Sequence, residues 1–321
     1  MKPKIGITIG DPNGIGAELI LKLINLPFIK KFGEIIIISP KYVLDYYSKK
    51  LKLKIPPKIN IIEVEISKDY KVMPGKVCSE AGKISGDAIC KAVDLIKKNE
   101  LHSIVTMPIS KKSIQLAGYN FSGHTEMLRA LTKSKDTFMF MFFENRVFTP
   151  LTIHIPLEKV TQTITKNYLL TKIKNIFKVS SKLFLKDKIK AAVLSLNPHS
   201  GEDNSIGNQE NKIIKPVIKS LIKTDLNIEG PFSADGFFGF RKYKNYDLII
   251  GMYHDQIMIP FKIISGMEGV NITAGLKFIR TSPAHGTAFD IAGKGIANLN
   301  GAFEALRINY LLTKKLINKN V

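Results

Sequence analysis

Residues 4–24 read KIGITIGDPNGIGAELILKLI. The first part, Lys4–Ile9, is a short β-branched run of the length and composition of a strand. Glycines at 10, 14 and 16 let the backbone turn sharply and approach a ligand closely. From Ala17 to Ile24 the chain reads as a helix, so the stretch is a strand feeding a helix through a glycine-rich loop. EIIII at 34–38 is continuously apolar, as expected of a parallel strand covered on both faces. Further strands are expected at Lys58–Val64, Ser103–Met107, Phe138–Phe142, Thr149–Ile153, Ala191–Leu196 and Leu248–Met252. Helices are expected at Gly86–Lys98, Leu157–Ile176, Gln209–Ile222 and Ala302–Asn318, with Pro216 kinking or shortening the third of these. The alternation predicts an α/β protein. The loop at 9–18 is neither the dinucleotide fingerprint GxGxxG nor a P-loop, since GK[ST] is absent. Spacing alone leaves both a structural turn and a ligand loop open there.

A length of 321 residues exceeds one simple core and fits two lobes. Composition marks no boundary between them, so a lobe can be built from discontinuous segments. Residues 155–190 are lysine-rich and read as exposed helical surface. No stretch approaches the ~20 apolar residues that span a bilayer. The N-terminus lacks the apolar core of a signal peptide, and the expected location is the cytoplasm. Cys78 and Cys90 offer neither metal-ligand spacing nor a disulfide framework, in keeping with a reducing compartment. The net charge of +21 raises nucleic acid as a partner, yet only five of the 48 basic residues are arginine and the lysines are spread along the chain. Neither arginine forks nor interleaved aromatics cluster, so no nucleic-acid partner is expected. Anionic, phosphorylated small molecules fit the charge.

Three segments carry chemistry. In SGHTEML, residues 122–128, His124 and Thr125 follow a glycine and precede a helix-like run, where exposed amides favour an anion. His154 in PLTIHIP, His199 in LNPHSGED and His254 in GMYHDQ each stand at or just beyond the end of an expected strand. In parallel α/β sheets those carboxyl ends are where ligands bind. Three imidazoles converging there suit a first-row divalent ion with positions left open, and Glu202 and Asp255 are candidates to orient the rings. Each histidine alone also reads as an ordinary structural residue. The run at 262–295 is rich in Gly, Thr and Ser, with Lys262, Asn271 and Arg280 as possible carboxylate or phosphate anchors. Its HGTAFDIAGKG portion looks like a nucleotide-contacting loop.

Taken in order, GDPNGIGAE, VTMPISKKSI (105–114), GHTE (123–126), NPHSGE (197–202), GPFSAD (230–235), MYHDQ (252–256) and RTSPAHGTAFDIAGKG (280–295) resemble the 4-hydroxythreonine-4-phosphate dehydrogenase family over nearly the full chain. The resemblance implies a two-lobed α/β/α fold of the isopropylmalate dehydrogenase type, with a mostly parallel sheet and no Rossmann fingerprint. The lobes are expected to be 1–140 with 281–321, and 141–280 carrying metal ligands and dimer contacts. It implies a homodimer with the active site at the interface and no membrane partner. His154, His199 and His254 become metal ligands for zinc, magnesium, cobalt or nickel. His124, Thr125, Lys262, Asn271 and Arg280 become substrate contacts. Asp235 and Lys262 are the candidate proton acceptors. NAD or NADP is expected near Gly286, Thr287, Asp290 and Gly293. The implied reaction is metal-dependent oxidation of 4-phosphohydroxy-L-threonine to 2-amino-3-oxo-4-phosphohydroxybutanoate. That product decarboxylates to 3-amino-2-oxopropyl phosphate on the way to pyridoxine 5'-phosphate. The alternative is a related phosphorylated hydroxy acid such as threonate 4-phosphate. Three positions depart from the family pattern. Asn13 replaces the usual alanine and Ala17 the usual proline, with a mild effect expected on the first loop. Ala284 replaces an aspartate, which bears on cofactor affinity.

Overall fold

The computed structural model describes residues 1–121, 123–184 and 188–319. Ser122 of the SGHTEML segment, residues 185–187 of the lysine-rich stretch and the last two residues lie outside the described residues. The chain forms two compact units, Met1–Thr137 with Met267–Val321, and Phe138–Gly266.

The first unit opens with β1 (Lys4–Thr8), α1 (Gly16–Ile24), β2 (Glu34–Ile38), α2 (Lys41–Leu51) and β3 (Asn60–Ile62). It continues with α3 (Ser79–Lys97), β4 (Ser103–Thr106), α4 (Lys111–Leu116) and α5 (His124–Thr132). The second unit contains β5 (Phe138–Phe143), β6 (Arg146–Pro150), α6 (Leu157–Thr163), α7 (Lys166–Phe184) and β7 (Ala191–Leu194). It closes with α8 (Lys215–Ile222), β8 (Ile228–Phe232), α9 (Ala234–Gly239), β9 (Leu248–Gly251) and α10 (His254–Ser265). The chain then returns to the first unit through β10 (Val270–Ala274), β11 (Ile279–Pro283) and α11 (Asn300–Lys319).

In the first unit the strand order is β3-β2-β1-β4-β11-β10. The first five of these run parallel, and β10 is antiparallel to β11. Successive strand residues point to opposite faces. Ile35, Ile36, Ile37 and Ile38 are all buried, so both faces of β2 are covered, as the continuous apolar run predicts. In the second unit the order is β5-β6-β9-β7-β8, with β5 antiparallel to β6 and the rest parallel. The mostly parallel α/β expectation holds. Among the described residues no helix is long and apolar enough to cross a membrane.

Several boundaries differ from the sequence expectation. The helix expected from Gly86 begins seven residues earlier, at Ser79, because Gly82 and Gly86 serve packing rather than a break. A Cβ on Gly82 would stand 1.8 Å from the Ser113 carbonyl oxygen, and one on Gly86 would stand 2.1 Å from the Tyr119 ring. The helix expected at 157–176 divides at Ile164 into α6 and α7. Around Pro216, a π-helical turn at Glu210–Ile214 runs directly into α8, and this irregular turn stands just where the proline would interrupt a regular α-helix. The strand expected at 149–153 is β6 at 146–150. Met267–Arg280, expected in the second lobe, belongs to the first unit, because β10 pairs with β11 across a tight connection.

The glycine-rich loop after β1 is tied down by Asn13, a position where the family departure was expected to matter little. Asn13 is fully buried. Its Nδ2 donates to the Lys76 carbonyl at 2.8 Å, and its Oδ1 accepts from Tyr70 Oη at 3.0 Å and from the Met73 amide at 2.9 Å. Its own amide donates to Asp11 Oδ1 at 2.9 Å. One side chain therefore anchors residues 70–76 to the loop. Asn13→Ala leaves these partners without the amide. A loss of about 2–4 kcal/mol is expected in urea unfolding, each orphaned buried group costing about 1–3 kcal/mol. A loss below about 0.5 kcal/mol would show that Asn13 does not anchor the loop.

Candidate active site

In the second unit β6, β9 and β7 are neighbours, parallel and in level register. Pro150 pairs with Gly251, and Val193 pairs with Ile250, so all three strands end together. His254 stands three residues beyond Gly251, His154 four beyond Pro150 and His199 five beyond Leu194. Pairing of β6 with β9 continues past the strand ends. The Leu151 amide donates to the Gly251 carbonyl at 2.8 Å, and Thr152 Oγ1 donates to the Met252 carbonyl at 2.8 Å. The His154 and His254 rings consequently face each other, with centroids 5.7 Å apart. A cavity of about 280 Å³ lies beside them, lined by Thr152, Ile155, Val160 and Tyr253 among others. His254 opens α10, and its Nδ1 lies 2.7 Å from Asp255 Oδ1, the orienting contact expected of that carboxylate.

His199 lies on the far side of β9, in a turn of unusual backbone. His199, Ser200, Gly201, Glu202 and Asp203 all have left-handed dihedral angles, and His154 has φ 52°. Such conformations cost non-glycine residues roughly 1–2 kcal/mol each. They cluster at ligand sites, where the surroundings hold them in place. Gln256 ties the ends of β9 and β7 together. Its Oε1 accepts from the Met252 amide and its Nε2 donates to the Ser195 carbonyl, both at 2.7 Å. The expected convergence of three imidazoles is reached by a pair, His154 and His254. Among the described residues no group of three or more His, Cys, Asp or Glu side chains is arranged to hold a metal ion. The donor chemistry nonetheless suits a first-row divalent ion, because paired imidazoles at levelled strand ends leave positions open for further ligands. Glu202 is exposed in the His199 turn.

The first unit gathers a different set. Arg280, on β11, is 1% exposed. Its Nε and Nη2 donate to Thr106 Oγ1 at 3.0 and 2.6 Å, and its Nη1 donates to Thr273 Oγ1 at 2.9 Å. Thr273 Oγ1 also lies 3.4 Å from Thr125 Oγ1. Burial pushes the Arg280 guanidinium down to about 9, against the pull of Glu126, so it stays charged at neutral pH. Burial, and secondarily Arg280, holds His124 well below the ordinary imidazole range and keeps it neutral. Among the described residues, buried His124 Nε2 and Asn271 Oδ1 have no hydrogen-bond partner. A buried cation beside unpartnered polar atoms has the chemistry to hold an anionic, hydrogen-bonding ligand. Four of the five expected substrate contacts, His124, Thr125, Asn271 and Arg280, thus belong to one unit. Lys262 is exposed in the last turn of α10 in the other.

The loop bearing Gly286, Thr287, Asp290 and Gly293 is held at both ends. The Ile15 amide donates to the Thr287 carbonyl at 3.1 Å. Glu18, fully buried and paired with Lys22 at 2.7 Å, accepts from the amides of Gly295 and Ala297. Asp290 is exposed on this loop. Asp235, in the first turn of α9, is exposed, and its carboxyl is held below the usual range by Ser233, the Gly236 amide and nearby His199.

A family model described as pyridoxal phosphate biosynthetic protein PdxA matches residues 26–309. The chain belongs to the PdxA family. It is 36% identical to the 4-hydroxythreonine-4-phosphate dehydrogenase of Sulfurihydrogenibium sp. (strain YO3AOP1), covering 97% of this chain and 98% of the relative. It is 32% identical to the D-threonate 4-phosphate dehydrogenase of Salmonella typhimurium, over 91% of this chain and 94% of the relative. The solved 4-hydroxythreonine-4-phosphate dehydrogenase of Klebsiella pneumoniae superposes with a TM-score of 0.85 at 30% identity, covering 98% of each chain. Isocitrate dehydrogenase of Methylococcus capsulatus, at TM-score 0.50 and 14% identity over 98% of this chain and 89% of the other, shares the fold alone. The chain is thus a PdxA-family dehydrogenase.

Against the PdxA pattern, Ala284 follows β11 with its amide bonded to the Gly269 carbonyl and brings no carboxylate to the loop. Thr106, Thr273, Gln256 and Glu18 position the site and carry no individual signal in the sequence. Glu18, Thr106 and Gln256 lie inside family motifs, whereas only the paired geometry identifies Thr273.

A neutral buried imidazole has a definite pH signature. The folded state binds its proton more weakly than the unfolded chain, so the His124 contribution to stability declines as pH falls below the unfolded value near 6.5. His124→Gln cannot titrate and is expected to gain stability relative to the wild type as pH drops from 7 to 5. A constant difference in unfolding free energy across that range would contradict a buried neutral His124.

Proposed function

We propose that the chain catalyses oxidation of 4-phosphohydroxy-L-threonine to 2-amino-3-oxo-4-phosphohydroxybutanoate, which loses carbon dioxide to give 3-amino-2-oxopropyl phosphate for pyridoxine 5'-phosphate synthesis. The observation that carries this reading is the facing pair His154 and His254 at the levelled ends of parallel strands. The family membership and the relatives' names support the substrate assignment.

In this reading His154, His199 and His254 hold a divalent ion, with a second copy of the chain completing the site in a homodimer. Imidazole donors favour zinc, cobalt or nickel over magnesium, which prefers oxygen. The ion, when bound, supplies Lewis acidity toward the substrate alcohol and toward the enolate left by decarboxylation. NAD or NADP, bound along Gly286, Thr287, Asp290 and Gly293, supplies the hydride acceptor.

The chain's own residues do the rest. Arg280, already fixed by Thr106 and Thr273, presents its charge to the phosphate without further reorganisation. Thr125 and the orphaned atoms of His124 and Asn271 offer hydrogen bonds to the same ligand. Neutral His124 donates or accepts without adding charge beside Arg280. Lys262, exposed on α10, is a further proposed cationic contact for the substrate. The proton of the reacting hydroxyl passes to Asp235, or to Lys262 with its amine neutral, a role that excludes its acting as a cationic contact. Ser233 and the Gly236 amide hold Asp235 ionised, which readies it to accept a proton while weakening it as a base.

A second reading rests on the D-threonate 4-phosphate dehydrogenase relatives. Threonate 4-phosphate lacks the amino group but presents the same phosphate and hydroxyl to the same residues. Purified protein with NAD and zinc or cobalt should form NADH from 4-phosphohydroxy-L-threonine, with kcat/KM above that for threonate 4-phosphate, and chelator should abolish it. A reversed preference moves the assignment to the second reading. No NADH from either substrate with any of zinc, cobalt, nickel or magnesium removes both.

A further inference from the structure

The left-handed turn that carries His199 does not hold itself. Six consecutive residues, His199 to Asn204, have positive φ, and the five that are not glycine are intrinsically unfavourable there. The support comes from Glu210, which is 1% exposed although it carries a carboxylate. Its Oε1 accepts from the amides of Leu196 and Asn197, both at 2.8 Å. Its Oε2 accepts from Asn197 Nδ2 at 2.9 Å. The same Asn197 amide donates to Gln209 Oε1 at 2.8 Å. The far end of the turn closes on Glu210 as well. The Ile206 amide donates to the Gly201 carbonyl at 3.2 Å, and a Cβ on Gly201 would lie 2.8 Å from Glu210 Oε2. Glu210 opens the π-helical turn before α8, a wide form of helix that recurs at functional sites.

Burying a carboxylate is costly unless it is hydrogen-bonded, and here the donors, among the described residues, belong to Leu196 and Asn197, which lead through Pro198 into His199. We infer that Glu210 is a positioning residue whose buried carboxylate holds residues 196–203 in the form that presents His199 to a divalent ion. The inference rests on the reading of His199 as a metal ligand and extends it to a residue that touches neither metal nor substrate. Hydrogen bonds to a ligand's own side chain are worth about 10–100-fold in metal affinity, and a support for the backbone that carries the ligand is expected to act on the same scale.

The test uses full-length protein stripped of metal and titrated with Co²⁺, followed by visible absorption. Glu210→Gln keeps the shape but sets an amide against its donors. It should weaken Co²⁺ binding about 10–100-fold and speed deuterium exchange at the Leu196 and Asn197 amides. Glu210→Ala should move both readouts further in the same direction, and Glu210→Gln carries the test if Glu210→Ala does not fold. Tyr246→Phe removes a hydroxyl bonded to Glu229, before the start of β9 and away from its carboxyl end. It should lower thermal stability yet bind Co²⁺ like the wild type, separating lost stability from a displaced turn. Wild-type affinity or unchanged exchange in Glu210→Gln overturns the role of Glu210 alone. A wild-type chain that takes up no Co²⁺ overturns the metal reading, and this inference with it.

Discussion

The parallel register of β6, β9 and β7 governs what the second unit can do. Parallel strands pair at a spacing near 4.8 Å and all point the same way. Once Pro150 is set opposite Gly251 and Val193 opposite Ile250, whatever follows each strand emerges side by side. With β9 in the middle, His254 becomes the central imidazole and His154 and His199 its flanks. Continued pairing through Leu151 and Thr152 brings the first flank into ring contact. The second flank is carried by a turn with its own supports, Gln256 at its root and Glu210 beneath it.

The first unit solves a different problem, holding a cation away from water. Arg280 spends three donors on two threonine hydroxyls, which orient it without neutralising it. Among the described residues, Glu126 pulls electrostatically the other way. The result is a fixed positive charge beside unpartnered polar atoms of His124 and Asn271. Charge on a rigid frame serves an anionic ligand better than charge on a mobile lysine, since less ordering remains to be done on binding. Glu18 and Asn13 give the neighbouring loops the same rigidity.

Much of this was legible in the residues. Apolar runs such as 34–38 and 103–107 marked parallel strands, and histidines after strands marked the candidate metal ligands. What failed to show has physical causes. β10 and β11 were hidden inside a Gly- and Thr-rich run that reads as loop, because they become strands through pairing, β10 with β11 in a hairpin and β11 with the distant β4, rather than through local propensity. α10 was not expected either, since Pro260 lies within it and its apolar residues only become a face once packed. The glycines of α3 imitate a helix break and are in fact contact surfaces. Asn13 looked like a mild departure, and its weight comes from partners some 60 residues away. Glu210 carries no local signal at all, since a glutamate near a helix start is ordinarily solvated.

The central claim is that the levelled strand ends deliver imidazoles to one divalent ion. X-ray absorption at the cobalt edge of Co²⁺-loaded protein tests it most directly, because multiple scattering from imidazole rings counts the histidines bound. The account predicts three imidazoles per ion, falling to two in His199→Ala. A ligand shell of oxygen donors alone, or a count unchanged by that substitution, would contradict it.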